Sequence, residues 1–166
     1  MAKQRFSAGR LCANPMTILE KLRAGVTTGS ADETRALAAE LAAALPPDAT
    51  LALHGDLGVG KTTFVQGLAR GLGVPANVTS PTFAIYSVYR GSARTLVHLD
   101  AYRLENDAQL EELLLEEFMV SPWCLAVEWP EKVGSWLTPA ALHLTLSIVE
   151  GDRHRVGLRR NNAVEG

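Results

Sequence analysis

The chain of 166 residues is long enough to form one domain with a continuous core. Its composition, 47% hydrophobic and 20% charged, is that of an ordinary folded protein and excludes a disordered chain. The formal net charge is −2 and no run is rich in lysine or arginine, so the sequence offers no direct nucleic-acid-binding patch. Any role in nucleic-acid metabolism is therefore expected to act through a protein partner.

The sequence also indicates no membrane or secretory segment. No apolar stretch approaches the roughly 18 uninterrupted residues of a membrane span. The basic start, M-A-K-Q-R-F, lacks the long apolar segment of a secretory signal. Cys12 and Cys124 have neither zinc-site nor disulfide-framework spacing. We therefore expect a cytoplasmic protein with no membrane contact.

The chain is predicted to have a tail and one domain. Residues 1–15 have no apolar period and are predicted to form a flexible N-terminal tail, whereas residues 16–166 are predicted to form a single domain. Met16 begins the first segment with core-like residues, so both Met1 and Met16 stay open as the natural start.

The next segments predict a helix, a strand and a second helix. Ser30-Ala-Asp-Glu33 is a capping box, in which Ser30 accepts from the amide of Glu33 while Glu33 reaches back to the cap. It predicts a helix over Asp32–Leu45. The apolar run Thr50–His54 predicts a short buried strand, and Thr62–Leu72 predicts a helix closed by glycines.

The rest of the chain adds strands, two hairpins and one further helix. Alternating or continuous apolar residues predict strands at Phe83–Tyr89, Thr95–Leu99, Cys124–Val127, Leu142–Val149 and Arg155–Arg159. Turn signals R-G-S-A and E-G-D-R join the first two and the last two as hairpins. Gln109–Phe118 predicts an acidic amphipathic helix, and Pro130–Leu137 a short helix or turn. This order predicts an α/β domain, with a mainly parallel central sheet flanked by helices and antiparallel strand additions.

The stretch G-D-L-G-V-G-K-T lies between the first predicted strand and its helix. Gly55, Gly60, Lys61 and Thr62 fit the pattern G-x-x-x-x-G-K-[ST] of a phosphate-binding P-loop. Backbone amides of Leu57–Thr62 would converge on phosphate at a helix N-terminus. Lys61 would supply a mobile positive charge to the β- and γ-phosphates, and the Thr62 hydroxyl is placed for Mg²⁺. The alternative is a glycine-rich turn without a ligand, which the flanking strand and helix disfavour.

Two acids follow apolar strands and are candidate metal ligands. Asp100 ends L-V-H-L-D and Glu128 ends C-L-A-V-E, so both side chains should emerge at the carboxyl edge of the sheet, where open α/β folds bind ligands. A P-loop site needs an acid there to hold Mg²⁺, directly or through water. Either acid alone could be a turn residue or helix cap, and the sequence leaves open which one contacts the metal.

Other polar residues near these segments have weaker signals. Ser80-Pro-Thr82 reads either as an ordinary turn or as a segment that senses the γ-phosphate and metal. His98 is predicted to be a packed strand residue rather than a ligand, and His54 to be structural. His143 and His154 belong to no recognisable pattern.

Four blocks together resemble the bacterial TsaE family, also called YjeE. They are G-D-L-G-V-G-K-T-T, V-T-S-P-T-F, H-L-D-A-Y-R-L and L-A-V-E-W-P-E-K, in the family's order and with similar intervals. The resemblance covers about Ser30 to Lys132 well and is looser beyond. The E-W-P and H-x-D-x-Y-R blocks are far more specific than the P-loop alone.

The resemblance implies a small P-loop ATPase that uses ATP and Mg²⁺. Such a protein works with TsaB- and TsaD-type proteins in making N6-threonylcarbamoyladenosine in tRNA, where ATP hydrolysis would reset the pair between turnovers. The implied catalytic residues are Lys61, Asp100 and Glu128, and the implied metal ligands are Thr62, Glu128 and Asp100. The implied nucleotide-binding residues are Gly55, Asp56, Leu57, Gly58, Val59, Gly60, Lys61, Thr62, Thr63, Ser80, Thr82, Trp129 and Arg153. Residues 30–33 are implied to approach the adenine.

The sequence departs from the family pattern at Leu114. Family members usually have a glycine where Leu114 stands, so we expect the local turn there to be helical.

A small-molecule kinase is one alternative to the partner-activated ATPase, although the arginine-bearing lid of such enzymes is missing. A nucleotide-sensing switch without turnover is the other; an N/T-K-x-D guanine reader is absent, which favours adenine. No arginine is placed as a finger in cis, so we expect slow turnover that a partner stimulates.

Overall fold

The computed structural model describes residues 15–159, and residues 1–14 and 160–166 lie outside the description. The flexible tail predicted for residues 1–15 therefore falls almost wholly outside it. The strands are β1 (Val26–Thr28), β2 (Ala49–His54), β3 (Tyr86–Arg90), β4 (Thr95–Asp100), β5 (Trp123–Glu128), β6 (Leu142–Val149) and β7 (Arg153–Leu158). The α-helices are α1 (Ile18–Ala24), α2 (Ala31–Ala44), α3 (Lys61–Gly71) and α4 (Asp107–Glu111). Short 3-10 helices span Ala101–Arg103, Leu115–Phe118, Pro130–Lys132 and Glu150–Asp152.

All seven strands form one sheet in the order β1-β7-β6-β2-β5-β4-β3. The four central strands β6, β2, β5 and β4 are parallel, and β1, β7 and β3 pair antiparallel with their neighbours. The predicted α/β class, with a mainly parallel centre and antiparallel additions, is confirmed, as are both predicted hairpins. Among the described residues, no helix is long and apolar enough to cross a membrane.

Two apolar layers hold the sheet. Helices α1, α2 and α3 bury Leu22, Leu41 and Phe64 on one face. The chain from the Ala101–Arg103 helix onward covers β4 and β5 on the other face, with Leu110 and Leu115 at its centre. Because β2, β4 and β5 are buried on both sides, they read as nearly continuous apolar runs.

The predicted capping box at α2 is only partly formed, and a complete box opens α1, for which none was predicted. At α2, Ser30 accepts from the amide of Glu33 at 3.1 Å as predicted, but Glu33 accepts from the amide of Gly29 at 2.7 Å instead of that of Ser30. The complete capping box opens α1, where Thr17 and Glu20 satisfy each other's amides at 3.3 and 2.7 Å. The predicted helix over Asp32–Leu45 is otherwise confirmed within a residue at each end.

The predicted strand Phe83–Tyr89 begins only at Tyr86. Residues 82–84 form a turn, closed by the amide of Ile85 donating to the carbonyl of Pro81 at 2.7 Å. Ile85 has a φ of 69°, which turns the chain into the strand. The prediction was wrong for residues 83–85. The apolar side chain of Phe83 suggested a strand, but Phe83 lies in the turn and is 87% exposed.

The predicted helix Gln109–Phe118 is also interrupted. Helix α4 ends at Glu111, and after a left-handed residue, Leu114, the chain resumes as a 3-10 turn. Leu110 and Leu115 are both 1% exposed, yet residues five apart on an α-helix point about 140° away from each other. The break lets both reach the same core. The expectation that Leu114 makes this turn helical was wrong, because Leu114 itself adopts the left-handed conformation, with a φ of 49° and a ψ of 43°.

Replacing Leu114 by glycine should therefore stabilise the fold. A left-handed leucine is strained by about 1–2 kcal/mol, while glycine loses some of that gain to unfolded-state entropy. The side chain is 54% exposed and loses little packing. We expect the free energy of unfolding in urea to rise by about 0.5–1 kcal/mol. The matched control, Glu112→Gly at an exposed right-handed position, should lower it. A decrease in both variants would contradict the strain at Leu114.

Candidate functional site

The glycine loop connects β2 to α3 and leaves the N-terminus of α3 open to a cleft. Gly60, the residue before the helix, has a φ of 96°, and Gly55 has a φ of 145°. A Cβ on Gly55 would come within 2.4 Å of the Leu146 carbonyl oxygen on the neighbouring strand β6. Glycine is therefore required where the loop leaves the sheet. The loop and the free amides of the first helical turn form a cradle of the kind that binds anions.

Lys61, the first residue of α3, lies folded into its own loop. Its Nζ donates to the carbonyl oxygens of Gly55 at 2.5 Å and Asp56 at 2.8 Å, and sits 4.1 Å from the centre of the Trp129 ring. The residue is only 5% exposed. Burial lowers the pKa of the Lys61 ammonium, while nearby carboxylates, chiefly Glu128, act in the opposite direction. Its amine is thus held by polar neighbours at the floor of the cleft.

The two predicted acids lie next to each other at the carboxyl edge of the sheet. Asp100 and Glu128 pair across β4 and β5, and both are nearly buried. Glu128 Oε1 accepts from the Thr62 hydroxyl at 2.9 Å, which joins β5 to the helix α3. Asp100 Oδ1 accepts from the amide of Tyr102 at 3.0 Å and so caps the Ala101–Arg103 turn. One hydroxyl and two carboxylates thus converge beside Lys61.

Ser80 and Thr82 reach the same cleft from the loop after α3. Their hydroxyl oxygens lie 2.7 Å apart, and each is 3.4 Å from Asp100 Oδ2. The cleft they help to enclose has a volume of about 450 Å³. Its walls are Leu57, Gly58, Gly60, Lys61, Thr62, Thr63, Ser80, Thr82, Asp100, Tyr102, Glu128 and Trp129.

Four of the predicted nucleotide-binding residues lie elsewhere. Gly55, Asp56 and Val59 line a second cleft of about 750 Å³ beside the loop, which shares Leu57 and Trp129 with the first. Arg153 lines neither, and its Nε donates to the carbonyl oxygen of Glu150 at 3.1 Å. Although the second cleft is larger, the lysine, hydroxyl and carboxylates that could handle phosphate and metal meet in the first.

Comparison with known proteins identifies the family of the chain. Residues 28–157 match the family model described as threonylcarbamoyl adenosine biosynthesis protein TsaE. The chain belongs to the TsaE family. It is 36% identical to the tRNA threonylcarbamoyladenosine biosynthesis protein TsaE of Bacillus subtilis over 129 residues, covering 78% of this chain and 80% of that one. The protein of the same name from Rickettsia felis is 33% identical over 133 residues, covering 80% of this chain and 77% of its own.

A solved structure is similar as well. The crystal structure of Bacillus subtilis YdiB superposes with a TM-score of 0.67 at 33% identity, covering 81% of this chain and 82% of that one. The family-model match over residues 28–157 includes the four blocks that predicted the family. The TsaE family assignment made from those blocks is therefore confirmed.

Two histidines contact residues of the glycine loop and the cleft, although neither contact was predicted. His98 Nε2 lies 2.8 Å from Glu128 Oε1, and His154 Nδ1 lies 2.8 Å from the carbonyl oxygen of Val59 in the loop. His98 is a packed strand residue as predicted, but it also contacts the site. The spacing H-x-D on a strand was a usable signal, because it places His98 on the same face as Asp100. Nothing in the sequence around His154 pointed to the loop.

His54, which lines the second cleft, is hydrogen-bonded to His143. His54 Nε2 and His143 Nδ1 are 2.9 Å apart, and His54 Nδ1 is 3.7 Å from Glu131 Oε2. Burial lowers the pKa of His54 to about 4, with Arg159 and His143 adding to the effect and Glu131 opposing it. Burial also lowers the pKa of His143, with Arg159 as the second cause. Both imidazoles therefore resist protonation in the folded protein.

The His54 pKa makes stability dependent on pH below neutrality. The unfolded chain binds the proton with an ordinary pKa of about 6.5. Between that value and about 4 the unfolded state holds more protons, so the free energy of unfolding falls as the pH drops through this window. His54→Gln, which cannot titrate, should lose less of this free energy between pH 7 and about pH 4.5, measured by urea unfolding. The same loss in the variant and the wild type would show that His54 is not the titrating group.

Proposed function

We propose that the chain is a Mg²⁺-dependent ATPase of tRNA threonylcarbamoyladenosine biosynthesis that acts with TsaB- and TsaD-type proteins. The observation that carries the proposal is the meeting of Lys61, Thr62, Asp100 and Glu128 at the N-terminus of α3. The names of the relatives supply the pathway. The arrangement of these four side chains supports the proposed Mg²⁺-dependent hydrolysis of ATP.

The residues present suit both a nucleotide and Mg²⁺. Hydroxyl and carboxylate oxygens are the ligands that Mg²⁺ prefers, and Thr62, Glu128 and Asp100 offer three such side chains within one cleft. A volume of about 450 Å³ falls within the range of small-molecule sites. A Cβ on Gly58 would meet no atom within 4 Å, so the loop leaves open space above its backbone.

Each group has a defined part in hydrolysis. The loop amides and Lys61 bind the β- and γ-phosphates, once the Lys61 ammonium exchanges the carbonyls of Gly55 and Asp56 for phosphate oxygens. Thr62 and the two acids would hold Mg²⁺, which would supply positive charge to the phosphate oxygens. Asp100 has its Oδ2 near the hydroxyls of Ser80 and Thr82. We assign to this carboxylate the orientation of the attacking water. The products are ADP and free phosphate.

A partner is needed because the cleft lacks a group that stabilises the transition state. Among the described residues, no arginine lines it. Arg103, the arginine of the H-x-D-x-Y-R block, instead lies 4.7 Å from the centre of the exposed Phe83 ring. In P-loop enzymes an arginine supplied by a partner contributes a large part of the rate. The isolated chain is therefore slow, and TsaB- and TsaD-type proteins complete the site.

Substitutions separate binding from hydrolysis. Lys61→Ala should weaken ATP binding and lower kcat, each by about tenfold or more, because it removes the charge that faces the phosphates. Asp100→Asn should lower kcat about a hundredfold while the ATP affinity changes by less than about threefold. The asparagine Oδ1 can still accept from the amide of Tyr102, so the fold is kept. Calorimetric titration and phosphate release measure the two effects.

Controls for these variants come from residues of the same type outside the cleft. Lys21→Ala, at an exposed ion pair with Glu40, and Asp107→Asn, in the first turn of α4, should behave as wild type. An Asp100→Asn variant that loses affinity as severely as Lys61→Ala would contradict the proposed division of labour.

Partner dependence is tested by reconstitution. Adding a bacterial TsaB–TsaD pair should raise the rate of phosphate release from ATP by about tenfold or more, and Lys61→Ala should abolish the increase. Equal rates with and without the pair would argue against partner activation. Transfer of phosphate to an added nucleoside would indicate a kinase, and binding without turnover in every mixture would indicate a nucleotide-sensing switch.

A further inference from the structure

His98 lies beneath the acidic part of the cleft without reaching it. The imidazole is fully buried in β4, two residues before Asp100 and on the same face of the sheet. Its Nε2 is 2.8 Å from Oε1 of Glu128, which is itself only 4% exposed. A polar side chain in the middle of a buried strand needs a reason, because apolar residues fill this position at lower cost.

The hydrogen bonds around Glu128 give that reason. A carboxylate oxygen only accepts, so Nε2 of His98 must carry the hydrogen. Glu128 Oε1 accepts this bond and the one from the Thr62 hydroxyl, while no hydrogen bond within residues 15–159 involves Oε2. Two donors on one oxygen set the rotation of the carboxylate and leave the other oxygen available to the cleft. Of the two donors, only His98 is sealed from solvent, since Thr62 lines the cleft.

Placing His98 at this position leaves its other ring nitrogen in an unfavourable environment. Nδ1 is buried and has no hydrogen-bond partner among the described residues. Leaving a buried polar atom unpaired is unfavourable. In a histidine that served packing alone, nothing would offset the unfavourable free energy of this unpaired nitrogen. The bond to Glu128 is the one interaction at this position that only a polar donor can make.

We propose that His98 is a positioning residue that orients Glu128 for Mg²⁺ through its Nε2–H, and so sets the affinity of the site for the metal. The proposal rests on the proposed function, which places Mg²⁺ at Glu128. Side chains that hydrogen-bond a metal ligand typically change metal affinity 10–100-fold when they are replaced. His98 acts from beneath the cleft and touches neither nucleotide nor metal.

Two amide substitutions distinguish the two ring nitrogens. The amide of glutamine reaches about as far as Nε2, whereas the shorter asparagine places its amide near Nδ1. His98→Gln therefore keeps a donor for Glu128, and His98→Asn removes it while staying polar. His143→Asn, a half-buried histidine outside the cleft, controls for loss of an imidazole as such.

The experiment measures binding of a fluorescent N-methylanthraniloyl-ADP to the full chain as Mg²⁺ is titrated. We expect His98→Asn to raise the half-saturating Mg²⁺ concentration at least about tenfold, with nucleotide affinity in EDTA within about twofold of wild type. His98→Gln should restore most of the Mg²⁺ response, and His143→Asn should match wild type. Adding Glu128→Gln should remove the effect of His98→Asn, because the residue that His98 orients is then no longer a carboxylate.

Several results would overturn the inference. An unchanged Mg²⁺ response in His98→Asn, or an equal loss of affinity with and without Mg²⁺, would leave His98 a packing residue. If the variants do not fold, ¹⁵N signals of the His98 ring in the wild type decide, since hydrogen on Nδ1 instead of Nε2 contradicts the proposal. A wild-type chain that binds the nucleotide without any Mg²⁺ response would overturn both the metal site and this inference. A normal Mg²⁺ response in the wild type that stays unchanged in His98→Asn would overturn only the inference about His98.

Discussion

The parallel register of β2, β5 and β4 is the constraint on which the site depends. Leu53 pairs with Glu128 on one side of β5, and Asp100 pairs with Glu128 on the other. Because the three strands run in the same direction, the glycine loop after β2 and both acids emerge at one edge of the sheet. A slip of one residue would turn Asp100 or Glu128 to the opposite face. The apolar runs that bury these strands on both sides therefore also place the proposed catalytic groups.

Charge burial at this edge is supported by hydrogen bonds to each group. Lys61 donates to two loop carbonyls, Glu128 accepts from Thr62 and His98 contacts the same oxygen, and Asp100 accepts from a backbone amide. Charged groups that are nearly buried are tolerated only with such partners. The same partners make the site preorganised, since the groups are held before any substrate arrives.

The sequence predicted best what depends on local patterns and strand ends. The glycine loop, Asp100 and Glu128 followed from motif spacing and from apolar runs that stop at an acid, and the sheet class followed from the order of elements. The prediction from sequence failed where contacts between residues far apart in the chain determine the local structure. The chain breaks at Leu114 because Leu110 and Leu115 must reach one core, and the loop contact of His154 exists only because β7 folds back beside it. Neither contact leaves a periodic trace in the sequence.

The two halves of the cleft differ in how firmly they are held, and this difference bears on the proposed slow turnover. On the side of the proposed metal ligands, Thr62 and His98 lie 2.8–2.9 Å from Glu128. On the opposite side, Ser80 and Thr82 are each 3.4 Å from Asp100, and the neighbouring Phe83 is 87% exposed. Bonds of that length are weak, so the loop bearing Ser80 and Thr82 is the part of the site that can rearrange at low cost. If water is positioned from this loop, a partner that orders it raises the rate without altering the phosphate cradle or the metal ligands.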